Sequence, residues 1–202
     1  MNSENIFYYL QEIKLIIELN KEEIEKLDQE IGDGDHIFNI QRGINEALDL
    51  KKELLNQETG EVLKKLGIKI MTTVGGSSGA LFATLLIGMA KNYNTEIGDQ
   101  KNISVMFHEG VEAMKKRGKA DLGEKTMLDV LIPVSQELNK LCEEEDVKMV
   151  AKKIIETAKK GMLSTKDLIA TKGRASFLGE RAKGHIDPGA RSSQLAIEAI
   201  CN

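Results

Sequence analysis

Hydrophobic residues recur along the chain at three- and four-residue spacings, the period of one face of an α-helix. The N-terminal segment shows this best, with apolar side chains at Ile6, Tyr9, Leu10, Ile13, Ile16 and Ile17. Ser3 precedes the first of these positions and is predicted to cap the helix. The opening segment therefore predicts an amphipathic helix that buries one face.

The same periodicity continues through most of the sequence and predicts further helices. These cover residues 22–29, 38–55, 62–74, 79–92, 104–116, 126–143, 147–171 and 192–200. Pro133 either kinks the 126–143 helix or belongs to its first turns. No series of alternating apolar and polar positions, typical of strands, accompanies them. We therefore predict an all-α fold, one domain over residues 1–202, in which about eight antiparallel helices form a barrel or bundle.

The first break in the helical pattern is rich in aspartate. Asp28, Asp33 and Asp35 lie within eight residues, with two glycines among them, and His36 follows. Close carboxylates repel one another unless a cation neutralises them, and aspartate oxygens suit Mg²⁺. The alternative is a polar turn with capping aspartates. His36 could bind metal, contact phosphate or cap a helix.

A second break, Gly-Gly-Ser-Ser-Gly at residues 75–79, precedes an apolar helical segment. Glycines before a helix expose backbone N–H groups, and Ser77 and Ser78 add hydroxyl donors. This combination suits phosphate binding. The alternative is a flexible turn with a serine cap.

A third break, residues 117–126, nearly matches a P-loop. One extra residue separates Gly123 from Lys125, and the preceding segment is helical where a P-loop follows a strand. The P-loop interpretation therefore fails. A basic, glycine-containing joint that opens a helix remains.

The fourth break, residues 173–190, is a long segment without helical periodicity. Loops of that length in compact domains are usually functional or disordered. Its glycines, Phe177 and paired charges argue against disorder, and Asp187-Pro188-Gly189 is a strong turn signal. We therefore expect this segment to be functional.

Composition limits the class of protein. The 202 residues are 41% hydrophobic and 30% charged, which is typical of a globular domain with a real core. A net charge of -4 argues against a nucleic-acid partner, and the longest apolar run, residues 80–90, is too short to span a membrane. Cys142 and Cys201 form no metal or redox spacing, and no signal peptide pattern opens the chain. We expect reduced cysteines and a cytoplasmic location.

Charge is distributed unevenly. Residues 1–60 carry fourteen Asp/Glu against six Lys/Arg, whereas residues 159–184 carry two against seven. One explanation is a pair of differently solvated faces. The other is a site in which the acidic part holds a cation and the basic part holds phosphates.

Together the four segments resemble the L subunit, or L domain, of dihydroxyacetone kinases. The matching stretches are Leu27–His36, Gly75–Gly79, Lys125-Thr126-Met127 with Asp129, and Gly173–Ala190. They occur in order and with suitable spacing over almost the whole chain. The resemblance implies a barrel of antiparallel helices with the nucleotide at one end.

The resemblance also implies roles for particular residues. Asp28, Asp33 and Asp35 would hold Mg²⁺ against the phosphates of ADP or ATP. Nucleotide contacts would come from His36, Asn39, Ser77, Ser78, Gly118, Met127, Arg174, Asp187, Pro188 and Gly189. Arg174 is expected to be catalytic, by holding oxygens of the migrating phosphoryl group. The chain departs from the family pattern at Ile37, where a glycine is common.

In this family a separate K subunit or domain binds the sugar. Because the chain starts and stops close to the L region, we expect retained ADP that is recharged by a phosphodonor subunit of the phosphoenolpyruvate phosphotransferase system. An L subunit that uses exchangeable ATP is the first alternative. A non-catalytic regulatory binding module is another. An acyl-phosphate kinase related to fatty-acid kinases is the last, and there we expect no counterpart of residues 173–190.

Overall fold

The computed structural model describes residues 2–202 and contains only helices, turns and loops over that range. The α-helices are α1 (Ser3–Leu19), α2 (Lys21–Ile31), α3 (His36–Asp49), α4 (Lys51–Leu54), α5 (Thr59–Thr73), α6 (Gly76–Lys91), α7 (Asp99–Gly118), α8 (Leu128–Lys140), α9 (Val147–Ser164) and α10 (Pro188–Cys201). Two 3₁₀-helices, Thr165–Asp167 and Arg174–Ala182, lie between α9 and α10. The prediction of an all-α fold is confirmed.

Eight of the helices described for residues 2–202 form a closed ring. Each packs on the next in the order α1, α3, α5, α6, α7, α8, α9, α10, and α10 packs on α1. At one end, Ile17 of α1 clusters with Ile37 at the start of α3 and with Leu195 of α10. At the other end, Phe7 of α1 clusters with Leu63 at the start of α5. Neighbouring helices therefore run antiparallel, as the sequence predicts for about eight helices.

The barrel wall is packed closely but its interior is not filled. A Cβ added to Gly88 would lie 2.9 Å from the Cα of Gly110, so α6 and α7 meet backbone to backbone. Inside the ring is a cavity of about 310 Å³, lined almost entirely by apolar side chains that include Ile44, Phe82 and Leu131. None of the helices described for residues 2–202 is long and apolar enough to cross a membrane.

Helix α2 lies outside the ring and packs on α3 and α10. Arg191 of α10 makes a two-pronged ion pair with Glu23 of α2, with Nε 3.0 Å from Oε1 and Nη2 2.7 Å from Oε2. Its Nη2 also donates to Asn20 at 3.3 Å, between α1 and α2. Arg191 thus fixes α2 to the barrel, which accounts for an arginine at the start of the last helix.

Replacing Arg191 by methionine should lower the free energy of unfolding by about 1 kcal/mol, because a fork-like pair with a largely buried guanidinium is lost. Glu23→Gln should cost a similar amount, and the double variant should cost less than the sum. Urea denaturation of the three variants measures this coupling. Lys64→Met is the control, since its ion pair with Glu61 is exposed on both sides. Additive costs for Arg191 and Glu23 would contradict the assignment.

Helix ends differ from the sequence predictions in several places. Asn2, not Ser3, caps α1: its side chain accepts the N–H of Asn5 at 2.9 Å, and the Ser3 hydroxyl donates to the carbonyl of Leu55. The predicted 38–55 helix divides at Leu50 into α3 and α4. The predicted 147–171 helix ends at Ser164. Pro133 lies in the second turn of α8.

The long segment at residues 173–190 also departs from the prediction of no helical structure. Its first half is a 3₁₀-helix interrupted at Gly179, whose φ of 55° favours glycine. Its end belongs to α10, because Asp187 caps that helix and Pro188 occupies the first turn. The Asp-Pro-Gly turn signal is therefore a helix start.

Candidate metal and nucleotide site

The turn between α2 and α3 gathers the three aspartates. Asp28, Asp33 and Asp35 each offer a carboxylate oxygen within 4.8 Å of the others; Asp28 is buried and the other two are exposed. Gly32 makes this turn possible, since a Cβ there would lie 1.9 Å from Oδ1 of Asp28. Gly34 has a φ of +76°, in the region that favours glycine. Three carboxylate oxygens at this spacing suit one divalent cation.

His36 joins this turn to the start of α10. Its backbone N–H donates to Oδ2 of Asp28 at 2.9 Å, and its ring Nε2 lies 3.0 Å from Oγ of Ser192. The ring also hydrogen-bonds the backbone of Pro188. Burial lowers the pKa of His36, against the raising effects of Asp28 and of that hydrogen bond, so the ring is neutral at pH 7. The ring is thus held by Ser192 and Pro188 of α10, which argues against metal ligation by His36.

The glycine-serine turn that opens α6 faces α3 beside the aspartates. A Cβ on Gly76 would lie 2.9 Å from Nδ2 of Asn39 and 3.8 Å from Oδ2 of Asp35, and Gly76 has a φ of +75°. Nδ2 of Asn39 is buried and has no hydrogen-bond partner within the protein. Ser77 is exposed and Ser78 half-buried in the first turn of α6. This cradle therefore fits a ligand that accepts hydrogen bonds, such as a phosphate oxygen.

Ile37, the departure from the family pattern, does not enter this cradle. Its side chain is fully buried and packs with Ile17, Ile24, Ile44 and Leu195 in the wall of the barrel. A β-branched residue tolerates helical backbone, so isoleucine is compatible with the first turn of α3.

Four helices, α3, α6, α8 and α10, begin at the end of the barrel where the aspartates lie. Each helix start carries partial positive charge from its unpaired N–H groups. The buried carboxylate of Asp28 and the Asp33 and Asp35 side chains thus sit among positive helix ends. Such an end can accommodate a cation and phosphates together.

The 3₁₀-helix Arg174–Ala182 lies over α2, and an ion pair and a hydrogen bond join residues at or next to the two helices. Nε of Arg174 is 2.8 Å from Oδ2 of Asp33, and Nδ1 of His185 is 2.8 Å from Oε2 of Glu30. Between them, Ala175, Leu178 and Ala182 pack on Ile31 of α2. The structure therefore brings Arg174 to the aspartate turn, some 140 residues away along the chain.

Two of the remaining candidate segments meet at the start of α10. A Cβ on Gly189 would lie 3.2 Å from Cε of Met127, so these two residues are in contact. Asp187 accepts the N–H of Ala190 at 2.7 Å and thereby fixes the Asp187-Pro188-Gly189 turn. Gly118 ends α7 and lies against Leu81 of α6.

Comparisons with known proteins identify the family of the chain. Residues 30–202 match the DAK2 domain. The chain is 42% identical over 187 residues to the ADP-binding subunit DhaL of PEP-dependent dihydroxyacetone kinase 1 from Listeria innocua, over 91% of this chain and 88% of that protein. It is 35% identical to the ADP-binding subunit DhaL of the Escherichia coli PEP-dependent dihydroxyacetone kinase, over 92% and 89%. The chain belongs to the DAK2 domain family.

A solved structure shares the fold. The dihydroxyacetone kinase from C. freundii, in complex with AMP-PNP and Mg²⁺, superposes with a TM-score of 0.73 at 21% identity. The match covers 96% of this DAK2 domain but 32% of the longer chain, so the domain spans about a third of that kinase. At this identity the likeness establishes the barrel architecture.

Two buried residues of this DAK2 domain have no part in the predicted site. Lys125 and Asp129 are each 1% exposed, although both belong to a stretch that matches the family. Their burial could not be read from periodicity, since Lys125 precedes α8 and Asp129 lies in its first turn. The one available signal in the sequence is that two charged residues, Lys125 and Asp129, stand at the start of an otherwise apolar helix.

Asp187 should make the stability of the domain depend on pH. Burial raises the pKa of Asp187 to about 7, against the lowering effects of the Ala190 N–H and of Lys125. An unfolded aspartate has a pKa of about 3.9, so the contribution of Asp187 to stability is present below that pH and lost as pH rises to 7. The unfolding free energy of wild type, relative to Asp187→Asn, should fall by about 3 to 4 kcal/mol from pH 4 to 7.5.

Urea denaturation at three pH values measures this difference, and asparagine preserves the helix cap. Asp146→Asn is the matched control, because Asp146 caps α9 in the same way from an exposed position. A difference between wild type and Asp187→Asn that stays constant with pH would contradict the prediction.

Proposed function

We propose that this DAK2 domain is the nucleotide-binding subunit of a dihydroxyacetone kinase. It would hold ADP or ATP with Mg²⁺ and pass a phosphoryl group to dihydroxyacetone bound on a separate K subunit. One observation carries the proposal: three carboxylates, four helix starts and Arg174 meet at one end of the barrel. Similarity to ADP-binding subunits over 88% of their length supports it.

Each side of the site has a proposed task. Asp28, Asp33 and Asp35 hold Mg²⁺, which when bound neutralises charge on the phosphates during phosphoryl transfer. Asn39, Ser77 and Ser78 donate hydrogen bonds to phosphate oxygens, alongside the N–H groups at the start of α6. His36 hydrogen-bonds both the aspartate turn and α10 and so holds them together next to the nucleotide.

The base and sugar would occupy the wall formed by Met127 and the Asp187-Pro188-Gly189 turn, with Gly118 at its margin. Arg174, which pairs with Asp33 in the structure, would supply a guanidinium that could hold oxygens of the migrating phosphoryl group next to the Mg²⁺ ligands. The hydroxyl of the sugar, presented by the K subunit, is the acceptor. No side chain of this domain needs to become phosphorylated.

Relatives of this domain are named as subunits of PEP-dependent or PTS-dependent dihydroxyacetone kinases, among them DhaL of Lactococcus lactis at 39% identity. This favours recharging of bound ADP by a phosphotransferase-system phosphodonor subunit over free exchange of ATP. We propose the K subunit and that phosphodonor as partners, with no nucleic acid and no membrane. A cytoplasmic location belongs to the proposal and is supported by the free cysteines Cys142 and Cys201.

An assay that omits one component at a time tests the proposal. Turnover of dihydroxyacetone should require this domain, the K subunit, the phosphodonor subunit and phosphoenolpyruvate with its general carriers. Nucleotide should be found in the purified protein. Turnover with the K subunit and ATP but without the phosphodonor would favour the ATP-dependent alternative. A site that cannot be filled with nucleotide would favour the regulatory binding module.

The sugar is tested in the same assay. A relative at 30% identity is D-erythrulose kinase from Mycolicibacterium smegmatis, of which this domain covers 32% of the length. D-erythrulose is therefore the comparison substrate. Faster turnover of D-erythrulose than of dihydroxyacetone would correct the sugar while leaving the nucleotide site as proposed.

A further inference from the structure

Lys125 is an unusual residue in an unusual conformation. Its side chain is 1% exposed and its φ is +59°, in the left-handed region that non-glycine residues seldom adopt. Both features cost free energy, because an ammonium group loses its hydration and the backbone is strained. They persist only where the surrounding structure fixes them, so the contacts of Lys125 should reveal what this residue holds in place.

The ammonium group of Lys125 joins the two ends of one long segment. Its Nζ donates to the carbonyl of Thr165, just after α9, and to the carbonyl of His185, just before α10. Thr165 is fully buried, and its hydroxyl accepts the N–H of Asp187 at 3.0 Å. One side chain therefore fixes the segment that includes the 3₁₀-helix and ends in the α10 cap.

The main chain around Lys125 is fixed equally well. The carboxylate of Asp129, itself buried, accepts the N–H groups of Gly123 at 2.6 Å and Thr126 at 2.7 Å. These bonds wrap the loop around Asp129 and turn the Lys125 side chain inward. A further link comes from Glu124, which accepts the hydroxyl of Thr171 at 2.7 Å. The loop before α8 and the segment before α10 are thus joined at several points, and Lys125 makes two of these contacts.

We propose that Lys125 is a positioning residue of the nucleotide site, which holds Met127 and the Asp187-Pro188-Gly189 turn at one fixed spacing. The inference rests on the proposed function, because it assigns this wall to the base and sugar of the nucleotide. The contact between Met127 and Gly189 is where the two loops meet. Preformed spacing lowers the ordering cost of binding.

Lysine suits this task because it satisfies buried carbonyl oxygens. Methionine has nearly the same length and shape, but it would leave the Thr165 and His185 carbonyls without a donor. Burial lowers the pKa of Lys125, while the negative charges of Asp187, Asp129 and Asp167 raise it.

The test separates positioning of the base and sugar from general support of the fold. Affinities for ADP and for inorganic pyrophosphate, each with Mg²⁺, are measured by calorimetry on wild type, Lys125→Met and Lys125→Gln. Pyrophosphate needs the aspartates and the phosphate donors but not the wall at Met127. Val62→Ala is the control, because it opens a cavity at the far end of the barrel and lowers stability without touching either loop.

We expect Lys125→Met to weaken ADP binding ~10-fold or more and to change pyrophosphate binding by less than about twofold. Lys125→Gln, which retains one amide donor, should fall between wild type and Lys125→Met. Val62→Ala should bind both ligands as wild type does.

Three results would overturn the inference. The first is unchanged ADP affinity in a folded Lys125→Met protein. The second is an equal loss for ADP and pyrophosphate, which assigns Lys125 to the site as a whole. The third is failure of both Lys125 variants to fold by circular dichroism while Val62→Ala folds, which assigns it to the fold alone. A wild-type protein that binds neither ligand overturns the proposed function and this inference with it.

Discussion

Asparagine at Asp33 or Asp35 should weaken the binding of nucleotide with Mg²⁺ by on the order of 100-fold, or about 3 kcal/mol, while the helices stay formed. Each variant keeps the shape of the side chain and removes one negative charge from three carboxylates within 4.8 Å of one another. Both residues are exposed, so the barrel does not depend on them. Calorimetric titration with ADP and Mg²⁺ measures the loss, and circular dichroism checks the fold.

The two variants differ in a useful way. Asp33 is paired with Arg174 at 2.8 Å, whereas Asp35 lies next to Gly76 at the start of α6. Equal losses at both positions therefore indicate shared ligation of a cation. A loss confined to Asp33→Asn would indicate that the aspartate acts by anchoring the arginine.

Asp49→Asn is the matched control, because Asp49 is an exposed aspartate on α3 at its other end. Its nucleotide affinity should equal that of wild type. Addition of EDTA should bring wild type to the level of the two site variants and should leave those variants nearly unchanged. Normal affinity in both Asp33→Asn and Asp35→Asn would rule out the metal assignment.

The barrel could be predicted because its helices bury one face each. Apolar residues such as Ile6, Ile13 and Ile17 follow the helical period, and most connections are short, so most neighbouring helices were expected to be antiparallel. The aspartate turn could also be predicted to bring its carboxylates together, because glycines separate residues that are close in sequence. Both arguments need only local information.

Local sequence patterns could not predict long-range contacts or structure without a helical period. The 3₁₀-helix at Arg174 has no 3.6-residue period, and its attachment to α2 depends on Glu30, Asp33 and their partners more than 140 residues later. The start of α10 was misread because Asp187 and Pro188 favour turns and helix starts alike. The cavity inside the barrel depends on how far apart eight helices stand, which no local pattern specifies.

Replacing Arg174 by alanine should reduce phosphoryl transfer by roughly 100- to 1000-fold and leave ADP binding and the fold almost unchanged. The side chain is 70% exposed, so its ion pair with Asp33 contributes little to stability. The position of Arg174 matters because its guanidinium contacts Asp33, a proposed ligand of the cation. From there it would be close to the nucleotide phosphates that the cation binds. An arginine that contributes only when charge moves onto the migrating group affects the rate more than the affinity.

Arg181 is the comparison residue for Arg174. It is exposed on the same 3₁₀-helix, but it makes no ion pair with the aspartate turn. Arg181→Ala should transfer phosphoryl groups at nearly the wild-type rate. Arg174→Lys should be intermediate, because lysine keeps the charge but loses the planar fork that matches phosphate oxygens. The complete coupled assay gives the rates, and calorimetry gives ADP affinity for the same preparations. A severe loss in Arg181→Ala with normal transfer in Arg174→Ala would move the catalytic assignment to Arg181. A loss of ADP affinity as large as the loss of rate in Arg174→Ala would make Arg174 a binding residue, because the guanidinium would then hold the nucleotide before transfer begins.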